Sequence, residues 1–199
     1  MCALAAMTLA AQSKEAKPAA KAKSKAAAAP AMEMMKPSPE QVKLNKWLNG
    51  TWMGEAKFDP GPMMPQGGET KGREVFHPGP GGFSVFGDYV QTSPTPDFHG
   101  FAILMYDPGK KQYVGYWTDS MAPMVMMLSG NYQGNDLVLS GDMEMMGQPM
   151  KFTWKYSDIT PASFTFTEES SAGGQPARRD MVVKYTKLTK AAAKPAAGQ

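Results

Sequence analysis

Cysteine is nearly missing from this chain: Cys2 is the single thiol among 199 residues. No intramolecular disulfide can form, and no cysteine-based metal site can assemble. Histidine is almost as scarce, with His77 and His99 the two imidazoles. A haem iron or a histidine-held metal would have to use one of them. His77 abuts the segment PGPGG and His99 follows TPDF, so both fall near strand ends. Surface positions beside loops account for them without a ligand role. No segment reaches the roughly 18 apolar residues of a membrane-crossing helix. The expectation is therefore a chain without a transmembrane segment, a cofactor or a bound metal.

A basic core is lacking as well, although the net charge is +3. Residues 1–36 hold six Lys and two Glu, and residues 187–199 hold three Lys and no acid. The stretch 37–186 is left with twelve basic and sixteen acidic residues. A nucleic-acid-binding fold concentrates Lys and Arg on one face of its core. Nucleic acid is therefore excluded as a partner of the folded part.

The tails account for the remaining peculiarities of composition. Residues 1–12 contain the apolar run CALAAMTLAA, which has the form of the hydrophobic region and small-residue end of a signal peptide. No Lys or Arg precedes the run, and an Ala-rich terminus is the alternative. Export predicts a periplasmic or secreted protein; without cleavage the protein is cytoplasmic. Residues 13–36 are mostly Ala, Lys and Pro and read as a linker too poor in apolar surface to fold. Residues 189–199 repeat that composition. One domain remains, over residues 37–188.

What is abundant is Gly (20), Pro (17) and Met (18). Gly and Pro in such numbers favour short strands joined by turns. The domain opens with a single helix, predicted over 39–48. Ser38 suits the N-cap, Pro39 the first helical position, and Gln41 the third position of a capping box. Gly50 suits the stop. After it the apolar period becomes two. In TWMGEAKFD, Trp52, Gly54, Ala56 and Phe58 share one face. Nine more strand-like runs follow, at 69–77, 83–92, 99–107, 111–119, 123–133, 136–145, 150–158, 163–170 and 178–188. Their separators are short and turn-forming, such as DPGKK and QGND. Parallel pairing needs crossovers of about a dozen residues or more, and there is no room for them. The predicted fold is all-β: a closed antiparallel up-and-down barrel of about ten strands, which removes the two edges of an open sheet. Trp52 is expected to close its base.

The stretches MKPSPEQVKLNKWLNGTWMGEAKF (35–58), FHGFAILMYDPGKKQYVGYWTDSMAPMVMMLSGNY (98–132) and GDMEMMGQPMKFTW (141–154) carry a resemblance. The chain resembles the bacterial family catalogued as domain of unknown function 1579, whose members look like lipocalin and fatty-acid-binding-protein (calycin) barrels. The likeness spans 35–188, and YDPGKKQYVGYWTDSM is its most specific block. It implies a small barrel, commonly exported, with no established activity and no catalytic residues to carry over.

The residues themselves indicate binding more than catalysis. No nucleophile with a base and an orienting group appears. Asp119–Ser120 and Asp107 read as turn residues. Glu168 and Glu169 fall on opposite faces of a strand and cannot act as a carboxylate pair. Aromatic residues alternate: Tyr113 with Trp117, Phe101 with Ile103 and Met105, Phe152 with Trp154 and Tyr156, Phe164 with Phe166. Such rows fill a barrel or line an apolar cavity. Ligand contact is assigned to Trp52, Tyr106, Tyr116, Trp117, Met126 and Trp154, with Tyr116 and Trp117 as alternatives because a bulge inverts the facing. The partner expected is a small hydrophobic or amphipathic molecule. Three alternatives stand beside it: a filled structural barrel at the envelope, an enzyme at the barrel mouth, and a Cu(I) protein using Met124, Met126, Met127, Met143, Met145, Met146 and Met150.

Overall fold

The structure, a computed structural model, describes residues 35–61, 64–93, 98–145 and 147–189. The expectations for the leader, the linker and residues 190–199 fall outside these. Within them one helix, α1 (Pro39–Leu48), precedes ten strands. These are β1 (Gly50–Phe58), β2 (Gly68–Pro78), β3 (Val85–Ser93), β4 (His99–Asp107) and β5 (Gln112–Asp119). They continue with β6 (Met126–Gln133), β7 (Asp136–Met145), β8 (Gln148–Ser157), β9 (Ser163–Ala172) and β10 (Arg178–Lys187). Each pairs antiparallel with its neighbour in sequence, and β1 pairs with β10, which closes the barrel.

The helix begins where the sequence places it. Ser38 is extended, and its hydroxyl accepts from the Gln41 amide at 3.2 Å. The reciprocal half of the capping box does not form. Gln41 instead accepts from the Tyr106 backbone N–H at 2.7 Å and donates to Asn45 Oδ1 at 2.7 Å. Asn45 in turn donates to the Gly82 carbonyl at 2.8 Å. A buried amide that satisfies β4 and braces α1 removes more unpaired polar groups than one turned back on its own helix. Leu44 and Leu48 are fully buried beneath the helix, each contributing about 2 kcal/mol of apolar burial.

The base of the barrel is closed by Trp52. Its ring is fully buried, its Nε1 donates to the Leu48 carbonyl at 2.6 Å, and Phe164 meets it edge-on at 4.8 Å. Lys187, its cross-strand partner, places its ammonium 4.8 Å from the ring centre. Glycines facing the interior leave room for the rings of nearby strands. A Cβ on Gly54 would meet the Tyr185 ring at 2.9 Å, and one on Gly100 would meet the Trp117 ring at 2.1 Å.

One expectation about facing is overturned. Phe101, Ile103 and Met105 share a face, but it is the outer one; Ala102 and Leu104 are the buried residues of β4. The large side chains go outside because small Gly100 and Ala102 make space for Trp117, and because the outer surface offers partners. Phe101 meets Phe86 edge-on at 5.5 Å, and Ile103 pairs across strands with Phe86 and Tyr116. The start of β6 also differs. It begins at Met126, not 123, with Pro123 three residues upstream lacking a ladder donor.

Candidate functional site

The lumen divides into two halves along its axis. At the helix end it is packed solid. Trp52, Val85, Leu104, Leu128, Leu137, Leu139 and Phe164 retain at most 2% of their surface. At the opposite end, the mouth, inward-facing residues keep part of theirs: Tyr89, Trp117, Met126, Met143, Phe166 and Glu168 are all half-buried. Ala56, Thr70, Phe152, Trp154 and Ser170 are buried on that side as well. A recess of about 370 Å³ at the rim is lined by Tyr89, Gly100 and Asp119 together with outer-face residues such as His99 and Phe101. A second, wider recess of about 450 Å³ lies at the helix end, between α1 and Tyr106, Tyr113 and Tyr132.

Two indoles and two carboxylates organise the mouth half. The Trp117 Nε1 donates to Asp119 Oδ2 at 2.8 Å, and the Trp154 Nε1 donates to Glu168 Oε2 at 2.8 Å. Trp154 spans the lumen, for a Cβ on Gly115 would touch its ring at 2.9 Å. That puts it beside Trp117, two residues further along the same face of β5. Trp117 stacks on Phe98 at 6.4 Å and is tilted against Tyr89 at 6.3 Å. Its cross-strand partner is Met126. With Met143, Met145 and Met150 packed against the core nearby, the lining is aromatic and thioether, a surface able to adapt its shape.

Glu168 is the unexpected member. It lies on the inward face of β9 with Phe164, Phe166 and Ser170, opposite Trp154. Burial pushes its carboxyl up to about 7, the negative charges of Asp180 and Asp119 add to this, and the Trp154 hydrogen bond opposes it. Deeper in the lumen, Glu74 is 4% exposed and accepts from the Tyr185 hydroxyl at 2.6 Å. Burial raises it too, to about 7, against the pull of that hydrogen bond. Period-two alternation already placed Glu74 in step with Phe76, and Glu168 in step with Phe164 and Phe166. A carboxylate in register with an aromatic row was the signal available in the sequence.

The six assigned residues scatter. Trp117, Met126 and Trp154 come together in the mouth half. Trp52 belongs to the packed base and keeps no exposed surface. Tyr106 stands at the helix end, edge-on to Tyr113 at 5.0 Å, and borders the wider recess. Tyr116 points outward, in one cross-strand row with Phe86, Ile103 and Met127. Of the two alternatives on β5, Trp117 is therefore the inward one. The methionines split likewise: Met126, Met143, Met145 and Met150 pack against the core, whereas Met127 is 59% exposed on the outer face. Met146 lies outside the described residues.

Both histidines are exposed; His77 approaches Asp88 at 3.4 Å on the outer face. Among the described residues, no three His, Cys, Asp or Glu side chains gather closely enough to hold a metal ion. Among them, too, no helix is long and apolar enough to cross a membrane. Asp119 and Asp107 are turn residues as read. Asp119 Oδ1 accepts from the Met121 N–H at 2.8 Å, and Asp107 Oδ1 accepts from the Gly109 N–H at 2.9 Å.

No curated protein matches this chain. Among solved structures, the crystal structure of Rv2717c from M. tuberculosis is similar in fold, with a TM-score of 0.54 at 12% identity. The match covers 77% of this chain and 100% of that one. Residues 36–186 match the family described as "Protein of unknown function (DUF1579)", and the chain belongs to that family.

Proposed function

We propose that this protein is a binding module that takes a small amphipathic molecule into the mouth half of its barrel. The observation that carries the reading is the asymmetry of the lumen. Trp52, Val85, Leu104, Leu137 and Phe164 toward the helix end keep at most 2% of their surface, while Trp117, Met126, Met143, Phe166 and Glu168 face inward and stay partly accessible. Apolar lining with a few convergent polar groups is what small-molecule sites share. Methionine and indole supply the adaptable apolar surface; Asp119 and Glu168 supply the polar points. The leader-like run at residues 2–11 supports export, with binding taking place outside the cytoplasm.

Titration with the neutral fluorophore N-phenyl-1-naphthylamine tests the reading. Saturable binding is expected, accompanied by quenching of indole emission. Met143→Trp, which fills the accessible space, should weaken it by about tenfold, equivalent to about 1.4 kcal/mol. Absence of saturable binding, or binding indifferent to this substitution, would overturn the reading.

A further inference from the structure

The mouth half of the lumen is poor in positive charge. Glu168, Asp119 and Asp180 bring three carboxyl groups to it, and the latter two are close enough to Glu168 for their charges to act on it. Arg178, the cross-strand partner of Ser170, is already engaged. Arg178 holds Asp180 Oδ1 through Nη2 at 2.6 Å and the Pro60 carbonyl through Nη1 at 3.2 Å. Two further groups are left without a partner. Ser170 is 2% exposed, and its hydroxyl finds no hydrogen-bond partner among the described residues. It stands two residues from Glu168 on the same inward face of β9. The second oxygen of Asp180, Oδ2, is also buried and unpaired. A buried polar group without a partner costs about 1–3 kcal/mol, so these atoms mark a place where something polar belongs.

We infer that the ligand is a hydrophobic cation, an alkyl amine or quaternary ammonium. Its charged head is held between Glu168 and Asp119 against the Trp117 face, and its apolar chain lies along Met126 and Met143. Excess carboxylate, an aromatic face and a flexible apolar lining are the three features that recognition of such a molecule calls for. A free anion would meet three like charges. A neutral lipid would leave Glu168 enclosed with no counter-charge. A primary amine would in addition donate to the unpaired Ser170 hydroxyl. The Tyr89–Phe98–Trp117 ring cluster (Tyr89 to Phe98 is 5.8 Å) presents π faces at the rim, where the head enters. Because burial raises the Glu168 carboxyl to about 7, a bound cation would draw it toward its ionised form.

This inference rests on the lumen being the binding site, and the experiment separates the two. Octyltrimethylammonium, 1-octanol and octanoate share one chain and differ in head group. Each is titrated into the full chain at pH 7.5 with indole fluorescence as the readout. The cation should bind at least about tenfold more tightly than the alcohol, and octanoate most weakly, a ratio worth about 1.4 kcal/mol. In Glu168→Gln the preference for the cation over the alcohol should shrink to under about threefold, with an unchanged near-UV circular dichroism spectrum showing the variant to be folded. Should Glu168→Gln not fold, Asp119→Asn at the rim gives the same comparison, with a smaller loss expected. Equal affinity for cation and alcohol, or a preference for octanoate, overturns the inference and leaves the binding reading standing. Failure of all three to bind overturns both.

Discussion

The Tyr185 hydroxyl donates to Glu74 Oε2 at 2.6 Å, a single hydrogen bond between two side chains buried in the middle of the barrel. It joins β10 to β2 across the intervening β1, so it bridges strands that do not pair. Gly54, cross-strand partner of Tyr185 and of Gly72, leaves the space in which the Tyr185 ring crosses. The bond does not offset the burial of the carboxyl, which remains shifted up to about 7.

That shift fixes the sign of a pH dependence. Between the unfolded value near 4.5 and the folded value near 7, the folded chain holds a proton on Glu74 that the unfolded chain has released. Folding therefore takes up protons, and stability declines as pH rises through this window, then levels off. A shift of this size corresponds to about 3 kcal/mol for Glu74, and Glu168 acts in the same direction. Urea unfolding should give a clearly higher free energy at pH 5 than at pH 8. In Glu74→Gln, which keeps an acceptor for Tyr185, the slope should be roughly halved. An unchanged slope would show that Glu74 is ionised in the fold.

The deletion of Trp52 addresses the base. Its indole is enclosed by Phe164 and Lys187 and tied to Leu48. Trp52→Ala should cost about 3–5 kcal/mol, the range for removing a buried large aromatic. A loss under about 1 kcal/mol in urea denaturation would mean the ring closes nothing.

Gly141 and Gly130 test how the barrel turns. A Cβ on Gly141 would lie 2.2 Å from the Met127 carbonyl oxygen, and one on Gly130 would lie 2.1 Å from that of Val138. Backbone cannot yield as a side-chain tip can, so β6 and β7 approach closely because both residues lack side chains. Gly141→Ala should destabilise the fold by more than about 1 kcal/mol and lower amide-exchange protection in β6 and β7 ahead of other strands. Protection lost evenly round the barrel would refute this local account.

The barrel was legible in the sequence because its signals are local. Short turn-forming separators and period-two alternation locate strands one at a time, and ten antiparallel neighbours leave closure as the economical arrangement. Facing was less legible. On β4, Phe101–Ile103–Met105 and Ala102–Leu104 alternate equally well, and which row faces inward depends on Trp117 of the next strand filling the space over Gly100. The candidate site was harder still. Along the chain, Glu168 and its neighbour Glu169 show only that they lie on opposite faces of β9. Its importance comes from Trp154, Asp119 and Asp180 on three other strands, and no spacing along the chain records that convergence.

Trp154 and Glu168 supply the last prediction. The indole N–H stabilises the ionised carboxylate and so opposes the rise caused by burial and by Asp180 and Asp119. The groups around Glu168 are these two carboxyls, Tyr156, the Ser170 hydroxyl two residues along β9 and Trp154 itself, with Arg178 paired to Asp180. Trp154→Phe keeps an aromatic ring against Phe166 but removes the donor. The Glu168 midpoint should then move upward from about 7. Carboxyl carbon shifts in protein labelled at glutamate report each midpoint separately, so Glu74, bonded to Tyr185 and not to Trp154, serves as the internal control. A Glu168 midpoint that stays in place, or one that falls, would mean that the indole does not hold the carboxylate.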